Sequence, residues 1–518
     1  MTPPEQRNSQ PQSTPPGGEA HGGTTHPGRG HVHPDEHTGL QKSLSRRQLQ
    51  MIAIGSAIGT GLFLGTGARL EQAGPALALL YLVCGFFGYL ILRSLGELIV
   101  YRPTSGSFVS YAREFFGEKA AYTAGWMYWF NWAMTAVADG TAIAIYIKWF
   151  GQYSEFVAGL PQWLLALVVV LGVLGLNLVS VKVFGELEFW FSAVKIGALI
   201  FFLIIGIFFV IFGSPSGQPT GIHLLSEGGG IFPNGLLPAL IVVQGVVFAY
   251  AGIELVGTTS GEAKNPRKEI PKAINLVILR IAVFYFGSVL LLCLLLPYTE
   301  YSAGESPFVT FFASIGVDVA APIMQLIVIT AALSSLNAGL YSTGRIMHSL
   351  ALAGSAPRFA AKLTRSGVPY GGILLTTVVA LAGVGLNYVV PEQTFEIVLN
   401  LAALGTMASW AAITLSHMKF VSLAKKGIYQ RPGYQAHLAP FTNYLTLAFL
   451  ASVILLMAFD YPVGTWTLIV SLMFFPILAL GWRVNRGRIM AALDARQEQR
   501  KVELQEHAHD RQQGPGAP

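Results

Sequence analysis

Apolar runs near the ~20 residues that one crossing of a bilayer requires recur from end to end of this 518-residue chain. Twelve can be read, at about 48–69, 75–99, 121–147, 162–184, 188–213, 235–258, 273–297, 322–345, 370–390, 393–418, 441–459 and 462–483. Only 12% of the residues are charged, against about 25% in soluble domains. In hydrocarbon a helix satisfies its own backbone, so runs of this length predict an all-α membrane protein of twelve transmembrane helices.

The rest of the chain is simple. Residues 1–40 are rich in Pro, Gly, Ser and Thr and include His21, His26, His31, His33 and His37. Such a segment cannot bury a core and is expected to be a disordered tail; its histidines read either as solvated residues or as metal ligands. It is polar throughout, so no cleavable leader is expected. Residues 41–486 form the transmembrane domain, and 487–518 a charged tail. Cys84 and Cys293 fall inside apolar runs and read as packing residues, with no disulfide or metal spacing. The net charge of +6 lies in connections between apolar runs rather than in one patch, which argues against nucleic acid. No HExxH and no nucleophile elbow occurs, so no enzyme, metal site or cofactor is expected.

The basic residues set an orientation. Alternate connections hold Lys42, Arg46 and Arg47; Arg102, Arg113 and Lys119; Lys182; Lys264, Arg267, Lys268 and Lys272; Arg358, Lys362 and Arg365; Lys425, Lys426 and Arg431; and Arg483, Arg486 and Arg488. The intervening connections hold only Arg69 and Lys148. By the positive-inside rule both termini are cytoplasmic, in a multi-pass protein of the cell's inner (plasma) membrane.

The first apolar run contains Gly55-Ser56-Ala57-Ile58-Gly59-Thr60-Gly61, where three glycines and two hydroxyls crowd into seven residues. Each glycine costs a helix interior about 1 kcal/mol, and Ser and Thr offer the backbone competing hydrogen bonds. The helix is expected to break here, and broken backbone survives in lipid only when buried or beside a wet cavity. The plainer reading is close helix packing through small residues. Five runs later Phe248-Ala249-Tyr250-Ala251-Gly252-Ile253-Glu254 gives a second polar interruption at the matching place. Five is odd, so the second half would run inverted relative to the first. Paired interruptions in two halves point to a transporter's binding site.

Facing breaks would offer free N–H groups to a carboxylate and free carbonyls to an ammonium. The expected ligand is a small L-amino acid held by its backbone charges. Substrate contacts are expected from Ser56, Ala57, Ile58, Gly59, Thr60 and Gly61, and from Phe248, Ala249, Tyr250 and Ala251, with Phe248 or Tyr250 either a lid or ordinary packing. Asp139, in the middle of the third run, reads as a substrate or proton group or as a structural acceptor. Glu254 reads either as a substrate ligand or as a cap for freed N–H groups. Lys195, about seven residues into the fifth run, either snorkels or serves as a buried amine that gains and loses a proton. Ser334, Ser335 and Asn337 of the eighth run could face it. Glu97 and Glu188 read as gating or interfacial residues, and Arg93 and Arg280 as snorkelling ones.

The stretch from Gly55 to Phe63 resembles the first-helix signature of the amino acid–polyamine–organocation superfamily. Phe248 to Glu254, continuing to Gly261-Glu262-Ala263-Lys264-Asn265-Pro266, resembles the sixth-helix signature of its bacterial amino acid permeases. Gly106 to Glu118, Asn131 to Thr135, Ser334 to Arg345, Gly354 to Phe359 and, more weakly, Pro462 to Thr467 resemble the asparagine-carrying members of that group. The likeness runs from about Leu40 to about Met490. It implies a LeuT-like five-plus-five inverted repeat with helices 1 and 6 broken, and import of an L-amino acid, L-asparagine first, by proton symport. Lys195 matches a fifth-helix lysine that stands in for sodium. Asp139 stands where many aromatic and 4-aminobutyrate permeases have a glutamate, and the shorter acid leaves room for a polar side chain. The expected partners are the amino acid, protons and the lipid bilayer. An exchanger, another small polar amino acid and a non-transporting nutrient sensor are the alternative readings.

Overall fold

The computed structural model describes residues 51, 55, 58–104, 106–215, 217–259 and 265–512. The tail 1–40, Ser56, Ala57 and the signature residues 261–264 lie outside them. Among the described residues every regular element is helical.

Eight of the described helices are long and apolar enough to cross a membrane: Ala76–Tyr101, Gln162–Val179, Val181–Phe212, Arg267–Leu295, Ala320–Leu352, Tyr370–Val389, Gln393–Lys425 and Val463–Ala495. Leu236–Ala249 and Phe441–Met457 are apolar but shorter. Burial sorts these helices. In Gln393–Lys425 78% of the apolar window is buried, but in Val463–Ala495 only 17%. The second helix exposes Leu472, Met473, Phe475, Ile477 and Leu480, an apolar surface suited to lipid rather than water.

The helix Glu118–Trp149 is the hub. Its 32 residues span about 48 Å at 1.5 Å each. Asn131, Thr135, Asp139 and Thr141 interrupt its apolar run, and all four are buried. Polar groups in such a helix must face protein, and it packs against helices Pro391–Lys425, Ala320–Leu352 and Tyr370–Val389.

Both expected interruptions are present. Gly55 is helical, Ile58 and Gly59 are not, and a helix restarts at Thr60. Gly59 is extended there, with φ −141° and ψ −155°. The second interruption follows helix Val243–Ala249. The chain turns through Tyr250–Glu254, with Gly252 at φ +93°, before helix Leu255–Thr259 begins. A positive φ of that size suits glycine alone at no steric cost.

Several expected boundaries move. The fifth apolar run begins its helix at Val181, because the Ser180 hydroxyl accepts from the Val183 N–H at 3.2 Å and caps it. Glu188 therefore lies two turns inside a helix and is fully buried, not interfacial. Lys195 stands fourteen residues from the helix start, about 21 Å, twice the depth expected, and at 1% exposure it does not snorkel. Two connections contain short helices, Ser107–Phe116 and Pro307–Ser314. Each buries an i, i+3, i+4 set: Phe108, Tyr111 and Ala112 in one, Phe308, Phe311 and Phe312 in the other. The last helix, expected to end near 483, runs from Val463 to Gln512.

Candidate functional site

The three glycines of the first interruption meet three different neighbours. A Cβ on Gly55 would strike the Ser192 side chain and come within 3.1 Å of Lys195 Cε. One on Gly59 would stand 3.3 Å from Ser335 Cβ. One on Gly61 would stand 2.6 Å from Ala249 Cα and 3.0 Å from its N. Glycines that merely seat one helix on another share a face. Here they turn with the chain and bring main chain against main chain at Gly61 and Ala249, where the two interruptions touch.

Beside that contact lies a small, partly open cavity lined by Gly59, Thr60, Gly61, Trp132, Thr135, Phe248, Ala249, Ala251 and Ser335. Thr60 opens the restarted helix, so the N–H groups of Thr60 and Gly61 have no carbonyl one turn back within it.

Two of the three hydroxyl protons on this wall are already used. Thr60 Oγ1 donates to Asp139 Oδ1 at 2.7 Å, and Thr135 Oγ1 donates to the Asn131 carbonyl at 2.9 Å. Each of these oxygens keeps only lone pairs for a ligand. Asp139 is fully buried behind Thr60 and does not itself line the cavity.

One residue from the cavity wall begins a charged cluster. Lys195 Nζ donates to Ser334 Oγ at 2.8 Å, and the same hydroxyl donates to Glu188 Oε1 at 2.6 Å. Glu188, Ser192 and Lys195 share a face of helix Val181–Phe212 at i, i+4 and i+7. Ser334 bridges an ammonium and a carboxylate, while its neighbour Ser335 lines the cavity. Asn337 turns elsewhere and accepts from Asn177 Nδ2 at 2.8 Å, so it does not join Lys195.

Not every expected contact is on the wall. Ile58 is buried in the apolar core rather than on the cavity. Tyr250 points away: its hydroxyl donates to the Tyr81 carbonyl at 2.7 Å, and its ring stacks on Tyr285 at 4.5 Å between centroids. Of the two lid candidates only Phe248 lines the cavity. Glu254 Oε2 accepts from the Gly252 N–H at 3.2 Å, so it satisfies the turn and contributes nothing to the wall. Trp132 and Thr135 were not anticipated as lining residues. Their spacing from Asp139, i, i+3 and i+7 on one helix, marks the face they share.

Ion pairs flank the site on both sides. Arg69 donates to the Gly65 carbonyl and to Glu396 Oε2 at 3.2 Å, and lies across Gly245, where any side chain would collide with its guanidinium. At the other end Glu97 is fully buried and accepts from Arg431 Nε at 2.6 Å and Nη2 at 2.8 Å, and from the Ala436 N–H at 2.7 Å. His417 Nε2 lies 2.9 Å from the same carboxylate. Arg93, expected to snorkel, is 7% exposed. It donates to Asn275 Oδ1 at 3.1 Å and to the Gln435 carbonyl, with its guanidinium over the Tyr434 ring at 3.9 Å. Burial pushes the Tyr434 phenol up to about 12, so it stays neutral beneath that cation. The connection 426–440 is thus strapped to helix Ala76–Tyr101 through Glu97 and Arg93.

Comparison with known proteins agrees over most of the chain. A family model described as amino acid permease matches residues 48–485. L-asparagine permease 1 of Mycobacterium tuberculosis (strain ATCC 25618 / H37Rv) is 56% identical over 457 residues, 88% of this chain and 93% of that protein. L-asparagine permease of Escherichia coli (strain K12) is 55% identical over 452 residues, 87% of this chain and 90% of its own. L-asparagine permease of Streptomyces coelicolor (strain ATCC BAA-471 / A3(2) / M145) is 52% identical over 452 residues, 87% and 92% of the two chains.

Proposed function

Because this chain belongs to the amino acid permease family, we propose that it imports a small polar L-amino acid, L-asparagine first, across the plasma membrane by proton symport. The observation that carries the reading is the main-chain contact of Gly61 with Ala249 beside a cavity that both interruptions line. The substrate carboxylate meets the N–H groups of Thr60 and Gly61, where a helix begins. Its ammonium faces the carbonyl end of helix Val243–Ala249 and the lone pairs of Thr60 Oγ1. The side chain lies toward Trp132, Thr135 and Phe248. A carboxamide N–H has an acceptor waiting in Thr135 Oγ1, whose proton is spent on Asn131. The names of the relatives support asparagine in particular.

The coupling reading rests on Lys195. Its side chain passes Gly55 at the first interruption, and its amine joins Glu188 through Ser334, one residue from the cavity-lining Ser335. Proton gain and loss at this cluster can therefore bias the backbone that holds the substrate. The same reading takes the chain as twelve crossings in a LeuT-like inverted repeat, with both termini cytoplasmic.

The test is uptake of radiolabelled asparagine by proteoliposomes, with and without an inward proton gradient. The reading expects accumulation only with the gradient, and its loss in Lys195→Ala. Uptake indifferent to the gradient refutes symport. Full gradient-driven accumulation in Lys195→Ala refutes the role of the lysine. An aromatic or basic amino acid competing far better than asparagine refutes the substrate.

A further inference from the structure

We propose that Gly339 is the residue that sets how large a side chain the cavity accepts, by leaving room for the Trp132 indole to stand back from it; this rests on the cavity being the substrate site. Gly339 lies one helical turn beyond Ser335 on helix Ala320–Leu352. A methyl group there would stand 2.9 Å from Trp132 Cε3 and 3.4 Å from Cζ3. Carbon atoms rest at about 3.5–4.0 Å, so the indole would have to shift by about 0.6–1 Å.

The surroundings decide what yields. The helix that carries Trp132 is held, because a Cβ on Gly405 of the neighbouring helix would already lie 2.7 Å from Asn131 Cα. The two backbones have no slack one residue from the tryptophan. The indole also packs on Tyr128, fully buried and T-shaped to it at 6.3 Å between centroids, with Phe108 edge-on at 5.1 Å to Tyr128 in turn. The space left is the cavity, which Trp132 lines. An indole displaced that far takes roughly one water's volume, about 30 Å³, from the space it borders. That loss is the size of a methylene, for which binding sites discriminate by about 10–200-fold.

The experiment compares uptake of radiolabelled alanine, asparagine and glutamine by the full-length chain in proteoliposomes. Gly339→Ala is expected to lower kcat/KM for asparagine relative to alanine at least tenfold, and glutamine further. Trp132→Phe in the same chain is expected to restore the ratio. Trp132→Phe alone is expected to move it the other way, favouring glutamine. If Gly339→Ala reaches the membrane and keeps the wild-type order of the three, the proposal is overturned. If that variant does not reach the membrane, Trp132→Phe alone decides: an unchanged order overturns the proposal, and a gain for glutamine supports it. A wild type that carries other small amino acids but not asparagine overturns the substrate assignment alone, since the size order is then read among those it carries.

Discussion

Glu97→Gln removes the anion that fastens the connection 426–440 to helix Ala76–Tyr101. The carboxylate is fully buried and receives N–H groups from Arg431 twice and from Ala436, with His417 Nε2 also at 2.9 Å. A glutamine keeps one oxygen and turns an NH2 toward donors: with its oxygen in the Oε2 position it still loses the contact of Arg431 Nε, and the other way round it loses the three on Oε2. Hydrogen bonds to a charged group contribute about 1.5–3 kcal/mol each, and breaking a buried pair costs about 3–5 kcal/mol. The Arg431 side chain is 22% exposed and regains some hydration, which places the expected loss near the lower end, about 3 kcal/mol. The assay is a double-mutant cycle of Glu97→Gln and Arg431→Leu, read as equilibrium unfolding in detergent. Residues that share a network couple by about 0.5–3 kcal/mol, and independent ones add within about 0.5 kcal/mol. The geometry demands coupling of at least about 1.5 kcal/mol. Additive single mutants would refute the strap.

Ser334→Ala leaves Lys195 and Glu188 without their shared hydroxyl, and proton-driven accumulation of substrate is expected to fall at least tenfold; unchanged accumulation ratios would show that the bridge is not used. Gly61→Val places a branched side chain where even a Cβ stands 2.6 Å from Ala249 Cα, and substrate binding, followed by isothermal titration, is expected to disappear while the protein still reaches the membrane. Tyr250→Phe removes one buried hydrogen bond, costing about 1 kcal/mol in unfolding and leaving substrate selectivity as it was; a changed substrate order would mean the ring reaches the ligand after all.

The interruptions were legible because glycine and hydroxyl content is a local property of the chain. Lys195 and Ser334 were legible because a charge in an apolar run needs a polar partner, and few residues offer one. What escaped depends on how helices rotate against each other. Tyr250 sits in an interruption, but its ring follows the turn to Tyr81 and Tyr285 and away from the cavity. Trp132 and Thr135 could be found only by fixing a helical face on Asp139, since an aromatic in a membrane helix is ordinarily packing. Sequence places Arg93 near a span end, as a snorkelling residue, and Arg431 among the basic residues of a cytoplasmic connection. Arg93 is held by Asn275, Gln435 and Tyr434, and Arg431 by Glu97, partners that lie about 180 to more than 330 positions away along the chain. The depth of Lys195 turned on one capping serine, Ser180, whose hydroxyl starts the helix earlier than hydropathy suggests.

The meeting of Gly61 and Ala249 carries a consequence for variation. Peptide groups cannot be deleted by substitution, so a saturating screen of this region would find few losses traceable to a removed charge. The damaging changes would instead be those that add atoms, and a chain diversifying toward new cargo would leave this patch alone and rework the wall opposite.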